Sequence, residues 1–414
     1  AGVNLSATGD ILLRAQNAII FNVGSSVDAG ANLTAIAGTD LTTSTFTAGD
    51  RMDLRARNSI LRADGILEAP FMRLLASEGS LGAADNELLL KAGRLDVSAG
   101  GPMHLIHEGD ITIGRAGLVT SADEGETIAI TVESGTLTSN QGEIRLEGSG
   151  TLLLDIDGEL VLGRAIVAPD GNITIITDKL SVSETATGVM LQAVNGRVSI
   201  TSVSGIGKES GAGAEIVIAA NEFTAITDSG SLNVVLEQTT RIVGPGVQIN
   251  TGASSLQLAV NNGALTVDAP IRQMGSGLID LNVFSGNLWV NDTIRQNSGG
   301  SLTARVHNGN LTMNSNGRVE TTTGAMSLRA SGDIWLYRVQ STSGQINIRS
   351  DNESVRRLAS LPTSFANIVS ATRPVVQAAK LAQFSVDSNS VQVNQFILNR
   401  STGASVINVS LTLS

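Results

Sequence analysis

Cysteine is absent from this 414-residue sequence, and proline and aromatic residues are scarce. Without cysteine, the chain has no disulfide scaffold, no thiolate nucleophile and no cysteine-based metal site. Only 7 prolines and 3% aromatic residues occur, whereas 42% of the residues are hydrophobic and 45 are glycine. The core must therefore consist of Val, Ile, Leu and Ala in many thin, similar layers, which is typical of repeated β-structure.

Long apolar runs and basic runs are also missing. The net charge is −11 and the pI is about 4.8. Such a surface is a poor partner for nucleic acid or for an anionic membrane, and we expect neither. No apolar stretch approaches the roughly 20 residues that span a bilayer, so no transmembrane segment is predicted. The sequence starts at Ala1 without the basic and apolar regions of a signal peptide, which predicts a mature product or an excised segment.

A 23-residue repeat is the dominant feature of the sequence. The stretch SGNLWVNDTIRQNSGGSLTARVH (285–307) is followed at once by NGNLTMNSNGRVETTTGAMSLRA, with turn and apolar residues in the same places. Four glycines, each 23 residues after the last, introduce the same apolar–x–apolar pattern. They are Gly263 before Leu265 and Val267, Gly286 before Leu288 and Val290, Gly309 before Leu311 and Met313, and Gly332 before Ile334 and Leu336. We predict that the first residues of these pairs form one inward-facing stack and the second residues another.

Each repeat carries at least two short strands, both introduced by turns that contain glycine. The second series in the same windows is Leu302 after Gly300, Met326 and Leu328 after Gly324, and Ile346 and Ile348 after Gly344. Alternation with period two directs one row of side chains inward, and glycine permits the tight corner. A unit this small cannot bury its own apolar row, so it stacks on its neighbour. The sequence therefore predicts an all-β parallel β-helix with about 20–25 residues per coil and about 18 coils.

The repeat drifts upstream and is interrupted near the end. It recurs in TGDILLRA, EGDITIGRA and DGELVLGRA, and over residues 31–101 it survives mainly as Leu33-x-Ala35, Met52-x-Leu54 and Met72-x-Leu74. We predict β-helix repeats over residues 1–350. Residues 351–383 lose the glycine-led strands, which predicts an irregular insert with short helices, a protruding loop or lateral decoration on the last coils. A terminal cap that shields the unpaired backbone of the open end is the alternative. Strands resume over residues 384–414 and are predicted to form the terminal coil.

These motifs resemble the filamentous-haemagglutinin-like repeats of large secreted bacterial adhesins and exoproteins. The resembling features, spread over residues 1–350, are the tandem (S/N/D/E)G-x-(I/L)-x-(V/I/L) strands, the GSLG and GIG corners and the lack of cysteine. The resemblance implies a right-handed parallel β-helix, export to the bacterial cell surface, and a role in attachment, biofilm or contact with other cells. No Asn-Pro-Asn secretion signature occurs near Ala1, which implies a central or distal segment of a longer chain.

Two motifs have the residue types of a metal site without its spacing. His104 and His107 stand three residues apart in MHLIHEGD, and on a strand such residues point to opposite faces. His307 lies far away in the sequence, so we predict ordinary turn or surface histidines. The stretch DIDGE (155–159) opens like a calcium loop but lacks the later ligands, which predicts a corner with exposed carboxylates. We expect no metal and no cofactor.

A carbohydrate-active enzyme, of the polysaccharide-lyase or glycosidase kind, is the alternative to a structural protein. Its site needs carboxylates, alone or with Arg or Lys, aligned on one outer face over adjacent coils. At the 23-residue spacing, one outer position holds Asp268, Asn291, Asn314 and Tyr337, which is not a charged ladder. Another aligns Arg272, Arg295 and Arg318, without a carboxylate column beside it, and ends at Ser341. We interpret the arginines as a stacked polar face and predict no enzyme and no catalytic residues.

The sequence therefore predicts a structural or adhesive segment of a secreted surface or fibre-forming protein, acting as a stiff stalk or attachment surface. Expected partners are neighbouring β-helix segments or copies of the same chain stacked end to end, and a host, cell-surface or polysaccharide ligand. Both ends of the sequence enter the strand motif without an obvious cap, which predicts stacking at the ends. We expect charges at Val406 and Val409 to suppress that association.

Overall fold

Alternating apolar and polar residues form short strands throughout the described chain. The computed structural model describes residues 2–184, 186–207, 215–358, 361–362 and 364–412, which contain 43 strands and no helix. These strands build a parallel β-solenoid of about 16 turns with about 23 residues per turn. The prediction of an all-β repeat fold is confirmed. Two compact units divide the chain, unit 1 over residues 1–202 and unit 2 over residues 203–414.

Unit 1 contains the first twenty strands, most of which are short. They are β1 (Asn4–Ala7), β2 (Ile11–Ala15), β3 (Ile19–Ile20), β4 (Ser26–Ala29), β5 (Asn32–Ala37), β6 (Leu41–Thr43), β7 (Thr45–Ala48), β8 (Arg51–Ala56), β9 (Ile60–Arg62), β10 (Leu67–Ala76), β11 (Leu88–Ala99), β12 (His104–Glu108), β13 (Ile111–Ser121), β14 (Thr127–Glu133), β15 (Leu137–Thr138), β16 (Ile144–Glu147), β17 (Thr151–Leu162), β18 (Ile166–Val167), β19 (Asn172–Val182) and β20 (Leu191–Ser202).

Successive turns of unit 1 pair in parallel and in register. β5 lies on β2, β8 on β5 and β10 on β8, so that Leu33, Met52 and Met72 form one inward column. All three side chains are fully buried. The irregular stretch over residues 31–101 therefore belongs to the same solenoid, and its corner loops vary in length. β3, β6 and β9 form a separate three-stranded sheet.

Unit 2 contains the remaining strands, which are shorter and more regular. They are β21 (Ile216–Thr227), β22 (Leu232–Leu236), β23 (Thr240–Ile249), β24 (Leu256–Val260), β25 (Leu265–Val267), β26 (Ile271–Gln273), β27 (Ile279–Val283), β28 (Leu288–Val290), β29 (Thr293–Gln296), β30 (Leu302–Val306), β31 (Leu311–Met313), β32 (Arg318–Thr321), β33 (Met326–Ala330), β34 (Ile334–Leu336), β35 (Arg338–Ser341), β36 (Ile346–Ser350), β37 (Val355–Arg357), β38 (Ile368–Ser370), β39 (Val375–Gln377), β40 (Leu381–Asp387), β41 (Ser390–Val393), β42 (Phe396–Asn399) and β43 (Ile407–Thr412).

Unit 2 has three faces because each strand from β24 to β36 pairs with the strand three places further along the chain. The first face stacks β24, β27, β30, β33, β36 and β39. The second face stacks β25, β28, β31, β34 and β37. The third face stacks β26, β29, β32, β35 and β38. One turn of the solenoid therefore passes once along each face.

Both predicted core stacks lie on the second face of unit 2. Leu265, Leu288, Leu311 and Ile334 pair in register, one per turn, and each is 0% exposed. Val267, Val290, Met313 and Leu336 form the adjacent row and are equally buried. Each side chain is covered by its counterparts in the turns on either side, so the core is a column of aliphatic layers. The prediction of two inward stacks is confirmed.

A column of glycines forms the corner that precedes the first face. Its members are Gly277, Gly300, Gly324 and Gly344. A Cβ atom on any of the last three would overlap the carbonyl oxygen of the glycine one turn earlier. None of the four has a φ in the left-handed range, so close backbone approach is what requires glycine here.

Residues 351–383 continue the solenoid and are not the helical insert that the sequence suggested. β37, β38 and β39 pair with β34, β35 and β36, and the described residues of this stretch contain no helix. Val339 pairs with Ile368, which is further along the chain than Ile348 is from its own partner, Leu328. The extra residues of this coil lie between β37 and β38. Short strands suffice here because the preceding turn supplies their hydrogen-bond partners.

The last described strands reverse direction. β42 pairs antiparallel with β41, and β43 pairs antiparallel with β40. These residues add no further turn. This accounts for part of the difference between the roughly 18 coils predicted at about 23 residues each and the about 16 turns of the structure. Val409 lies opposite Phe384 and is only 3% exposed. A charge at Val409 would therefore disturb the core, and this substitution is a poor probe of association between ends.

Candidate functional site

Two outer surfaces, one in each unit, carry polar side chains that are available for ligand binding. The surface in unit 1 is a groove of about 710 Å³, which we call the acidic groove. Asp28, Thr47, Glu68 and Lys91 line it in register, one per turn. Glu108 continues the column, since the preceding residue, His107, pairs with Leu90. The groove thus crosses five successive turns.

Contacts inside the acidic groove link neighbouring turns. Thr47 Oγ1 donates a hydrogen bond of 2.8 Å to Asp28 Oδ1. Lys91 Nζ lies 3.2 Å from Glu68 Oε1. Both side chains of that ion pair are about half-exposed, so solvent screening makes the pair worth little to stability.

The far end of the acidic groove carries uncompensated charge. Glu108 and Asp110 both line it. Asp110 Oδ1 accepts a hydrogen bond of 2.8 Å from the Thr136 amide, whereas Glu108 forms no ion pair with any described residue. With four carboxylates and one ammonium group in its lining, the groove favours a neutral or cationic ligand.

His107 lies beneath this groove and is not the turn or surface histidine that we predicted. Its side chain is 2% exposed, while His104 is partly exposed on the opposite face of β12, as the spacing required. His107 Nε2 lies 2.8 Å from both the amide nitrogen and the carbonyl oxygen of Ala92, and Nδ1 lies 3.1 Å from the Gly109 carbonyl oxygen. A neutral ring that donates from Nδ1 to Gly109 and accepts at Nε2 from the Ala92 amide satisfies this arrangement.

Acidification is expected to destabilise the protein through His107. Burial lowers the pKa of His107, and the hydrogen bonds to Ala92 and Gly109 offset only part of that effect. The unfolded chain, with a histidine pKa of about 6.5, therefore binds the proton more readily. The stability that neutral His107 contributes is complete above the unfolded pKa and is lost as the pH falls towards the folded one.

Denaturant unfolding between about pH 8 and pH 5, where histidine changes charge, measures this effect. The His107→Gln variant should lose less stability on acidification than the unmodified protein. His104→Gln, on the opposite face of the same strand, is the matched control and should follow the unmodified protein. An equal loss in all three proteins would show that His107 is not the titrating group.

The predicted arginine ladder on the third face of unit 2 is only partly correct. Arg272 and Arg295 pair in register, but Arg295 then pairs with Glu320 and not with Arg318. Arg295 Nη1 lies 3.7 Å from Glu320 Oε2. Arg318 is displaced because a turn at residues 314–317, closed by a hydrogen bond from the Gly317 amide to the Asn314 carbonyl oxygen (3.1 Å), lengthens this coil.

A different arginine ladder lies on the first face of unit 2. Arg305, Arg329 and Arg349 occupy equivalent outward positions on β30, β33 and β36. Asp351 bridges the last two, since its carboxylate oxygens accept hydrogen bonds from Arg329 Nε (2.8 Å) and Arg349 Nε (2.6 Å). Three guanidinium groups with one carboxylate make this strip the positive counterpart of the acidic groove.

An aromatic pair lies beside the first of these arginines. The rings of Phe284 and His307 stack with centroids 4.6 Å apart, and Phe284 is 42% exposed. Both rings line a groove of about 470 Å³ together with Arg305, Asp280 and other outward side chains of β27 and β30. Burial, together with Arg305 and Arg329, lowers the pKa of His307, so the ring is neutral near pH 7.

Sequence reasoning missed this ladder although a signal was present. In each strand of the second repeat series, Arg is the fourth residue: LTAR, MSLR and INIR. Alignment from the first residue of each strand finds these arginines, whereas a constant spacing of 23 residues does not. The acidic groove had no such signal, because Asp28, Glu68 and Glu108 lie in coils of different length.

The remaining candidate, DIDGE, does not lie at the corner that we predicted. The DIDGE residues lie within β17, where Asp157 is exposed near a register shift after Ile156. Over the described part of the chain, no group of three or more His, Asp or Glu side chains is arranged to hold a metal ion. No helix capable of crossing a membrane occurs in the described residues either.

Comparison with known proteins gives no relative from which to infer a function. No family model matches the chain, and no significant match was found among curated proteins or solved structures.

Proposed function

We propose that this chain is a structural and adhesive segment of a secreted bacterial surface protein, similar in kind to the filamentous-haemagglutinin-like repeats. It holds an attachment surface on a stiff support and is not an enzyme. One observation supports this proposal above the others: successive turns stack in parallel and in register from β24 to β39, although their loops differ in length.

In-register stacking suits a supporting role for a physical reason. Each turn contacts only the turns on either side, so the repeat extends in one direction and does not enclose a single site. Outward positions then recur at the turn spacing, and a ligand-binding feature takes the form of a column. The Arg305 strip and the acidic groove both have this form.

Surface labelling tests the proposal directly. Antibodies raised against the purified chain should label intact producing cells, and an external protease should remove the label. A cytoplasmic protein of the same cells, probed in parallel, is the control for intactness and should be detected only after permeabilisation. Detection of this chain only after permeabilisation would contradict a surface role.

A carbohydrate-active enzyme is retained as the second candidate because of the acidic groove. Its column places Asp28, Glu68 and Glu108 on one outer face, on alternate turns with Thr47 and Lys91 between them, and a glycosidase site needs carboxylates on one such face. Release of new reducing ends from a polysaccharide, lost in Glu108→Gln and retained in Glu133→Gln on the next turn, would favour catalysis over attachment. Glu133 is a matched control because it pairs with Glu108 but does not line the groove.

We also propose that the first turn of unit 1 is covered by further β-solenoid, either a neighbouring segment or a second copy. Ile11 and Leu13 on β2 are only half-buried, whereas Leu33, which pairs with Ile11 in the next turn, is 0% exposed. Uncovered apolar rows of this kind invite pairing with another strand. Sedimentation at increasing concentration separates the two partners, because only a second copy gives concentration-dependent association.

A further inference from the structure

We propose that the first face of unit 2 binds a polysaccharide that carries carboxylates, through the ladder of Arg305, Arg329 and Arg349. This inference rests on the proposed attachment role and names the chemistry of its ligand. The three arginines pair in register on adjacent turns. Since stacked strands lie about 4.8 Å apart, the guanidinium groups recur at that interval and match a chain with regularly spaced anionic groups.

Asp351 orders two of the arginines without occupying their outer ends. Both of its hydrogen bonds use the Nε atoms of Arg329 and Arg349, and the Nη groups have no partner among the described residues. Two Nη groups of one guanidinium form the planar fork that binds a carboxylate in a bidentate manner. Although burial opposes it, the two arginines lower the pKa of Asp351, so the carboxylate remains ionised and keeps them in place.

The ladder continues into neutral hydrogen-bonding groups at both ends. Asn282 pairs with Arg305, and Gln377 pairs with Arg349. A parallel column beside it contains Asp280, Thr303, Ser327 and Asn347. Amide, hydroxyl and carboxylate groups in such a row suit the many hydroxyl groups of a sugar chain. Grooves of about 470 Å³ at Arg305 and about 380 Å³ at Arg349 mark the two ends of this strip.

The stacked rings of Phe284 and His307 add an apolar platform beside Arg305. The two ring centroids lie 4.6 Å apart, and the exposed part of Phe284 is available to the apolar face of a sugar ring. Because His307 is neutral, the positive charge of the strip comes from the arginines alone.

A carboxylated polysaccharide fits this strip better than a nucleic acid does. The net charge of −11 opposes the long-range attraction of any polyanion, so the choice between these ligands depends on the local contacts of the strip. The strip has a single small aromatic platform in place of a row of rings for stacked bases. Planar carboxylates match the guanidinium fork in a bidentate manner.

Binding of polygalacturonate to the purified full chain, measured by calorimetry at moderate ionic strength, tests this inference. The double variant Arg305→Gln with Arg329→Gln should weaken binding by at least about tenfold, since two charge-assisted contacts are lost. The matched control is Arg272→Gln with Arg295→Gln, which removes the same charge from the third face and should change the affinity less than about twofold. Methyl-esterified polygalacturonate, which lacks the carboxylate charge, should bind poorly.

Four results would overturn the inference: no binding of polygalacturonate, equal loss in the two double variants, binding of the methyl ester as tight as that of the acid, or tighter binding of dextran sulfate or single-stranded DNA. The test is independent of surface labelling. If intact cells are labelled but the purified chain does not bind polygalacturonate, the proposed surface role stands and only the proposed ligand is wrong. If the purified chain binds the polymer but intact cells are not labelled, the ligand stands and the surface role fails.

Discussion

Replacing Leu311 by Asp is expected to lower the free energy of unfolding by about 3–5 kcal/mol, as an uncompensated buried charge does. Leu311 is 0% exposed and lies between Leu288 and Ile334 in the aliphatic column of the second face. A carboxylate at this position has no partner, and the same column leaves no room for water to reach it. Denaturant unfolding of the purified chain measures the change.

Thr312→Asp is the matched control for Leu311→Asp. Thr312 is the next residue on β31, faces outward between Trp289 and Trp335, and remains partly exposed. Its replacement should cost less than about 1 kcal/mol, as is usual for surface positions. Equal destabilisation by both substitutions would mean that the side of the strand does not matter, and the inward assignment of Leu311 would be wrong.

The core of the second face of unit 2, from β25 to β34, was predictable residue by residue because its strands recur at a constant spacing. From Leu265 to Ile334 the inward leucine column advances by the same number of residues at every turn, so a glycine-led repeat places each member without reference to contacts. A one-residue slip would move the whole apolar row to the solvent. This penalty fixes the register, and the register can therefore be predicted from the sequence.

The outer columns were not predictable in the same way, because they depend on the length of the corner loops. The turn at residues 314–317 inserts residues between β31 and β32, so that Glu320 and not Arg318 lies beside Arg295. A longer loop does not disturb the apolar columns, because the register of each strand is set by its own apolar row and a longer loop costs little free energy. Outer charges shift with every such insertion, and their pairing cannot be counted from a fixed period.

The burial of His107 could have been read from β12 itself. Leu105 and His107 are two residues apart and so share one face of the strand, and Leu105 is 1% exposed. Our prediction followed the general tendency of histidine to lie at surfaces and turns, and it did not apply the alternation of the strand to His107. The polar ring is tolerated inside because the Ala92 and Gly109 backbone groups meet both of its nitrogens.

Alanine at Gly324 is expected to destabilise the protein by roughly 3 kcal/mol, at the upper end of the range for overpacking. The new Cβ would overlap the Gly300 carbonyl oxygen one turn earlier, and that oxygen belongs to a backbone held on both sides by the stack. Relief requires the two turns to separate, which weakens the hydrogen bonds between β30 and β33. The same separation would disturb the spacing of Arg305 and Arg329.

Gly299→Ala is the matched control for Gly324→Ala, because Gly299 adjoins the same corner but points away from the stack. The nearest atom to a Cβ there is Thr323 Oγ1, at 3.7 Å, and its φ lies outside the left-handed range. Alanine at Gly299 should be neutral or stabilise by up to about 1 kcal/mol, since it restricts the unfolded chain. Thermal unfolding of the two variants separates these effects, as both carry the same chemical change and differ only in what the methyl group meets. If Gly324→Ala unfolded at the same temperature as Gly299→Ala, adjacent turns would not approach as closely at this corner as the glycine column requires.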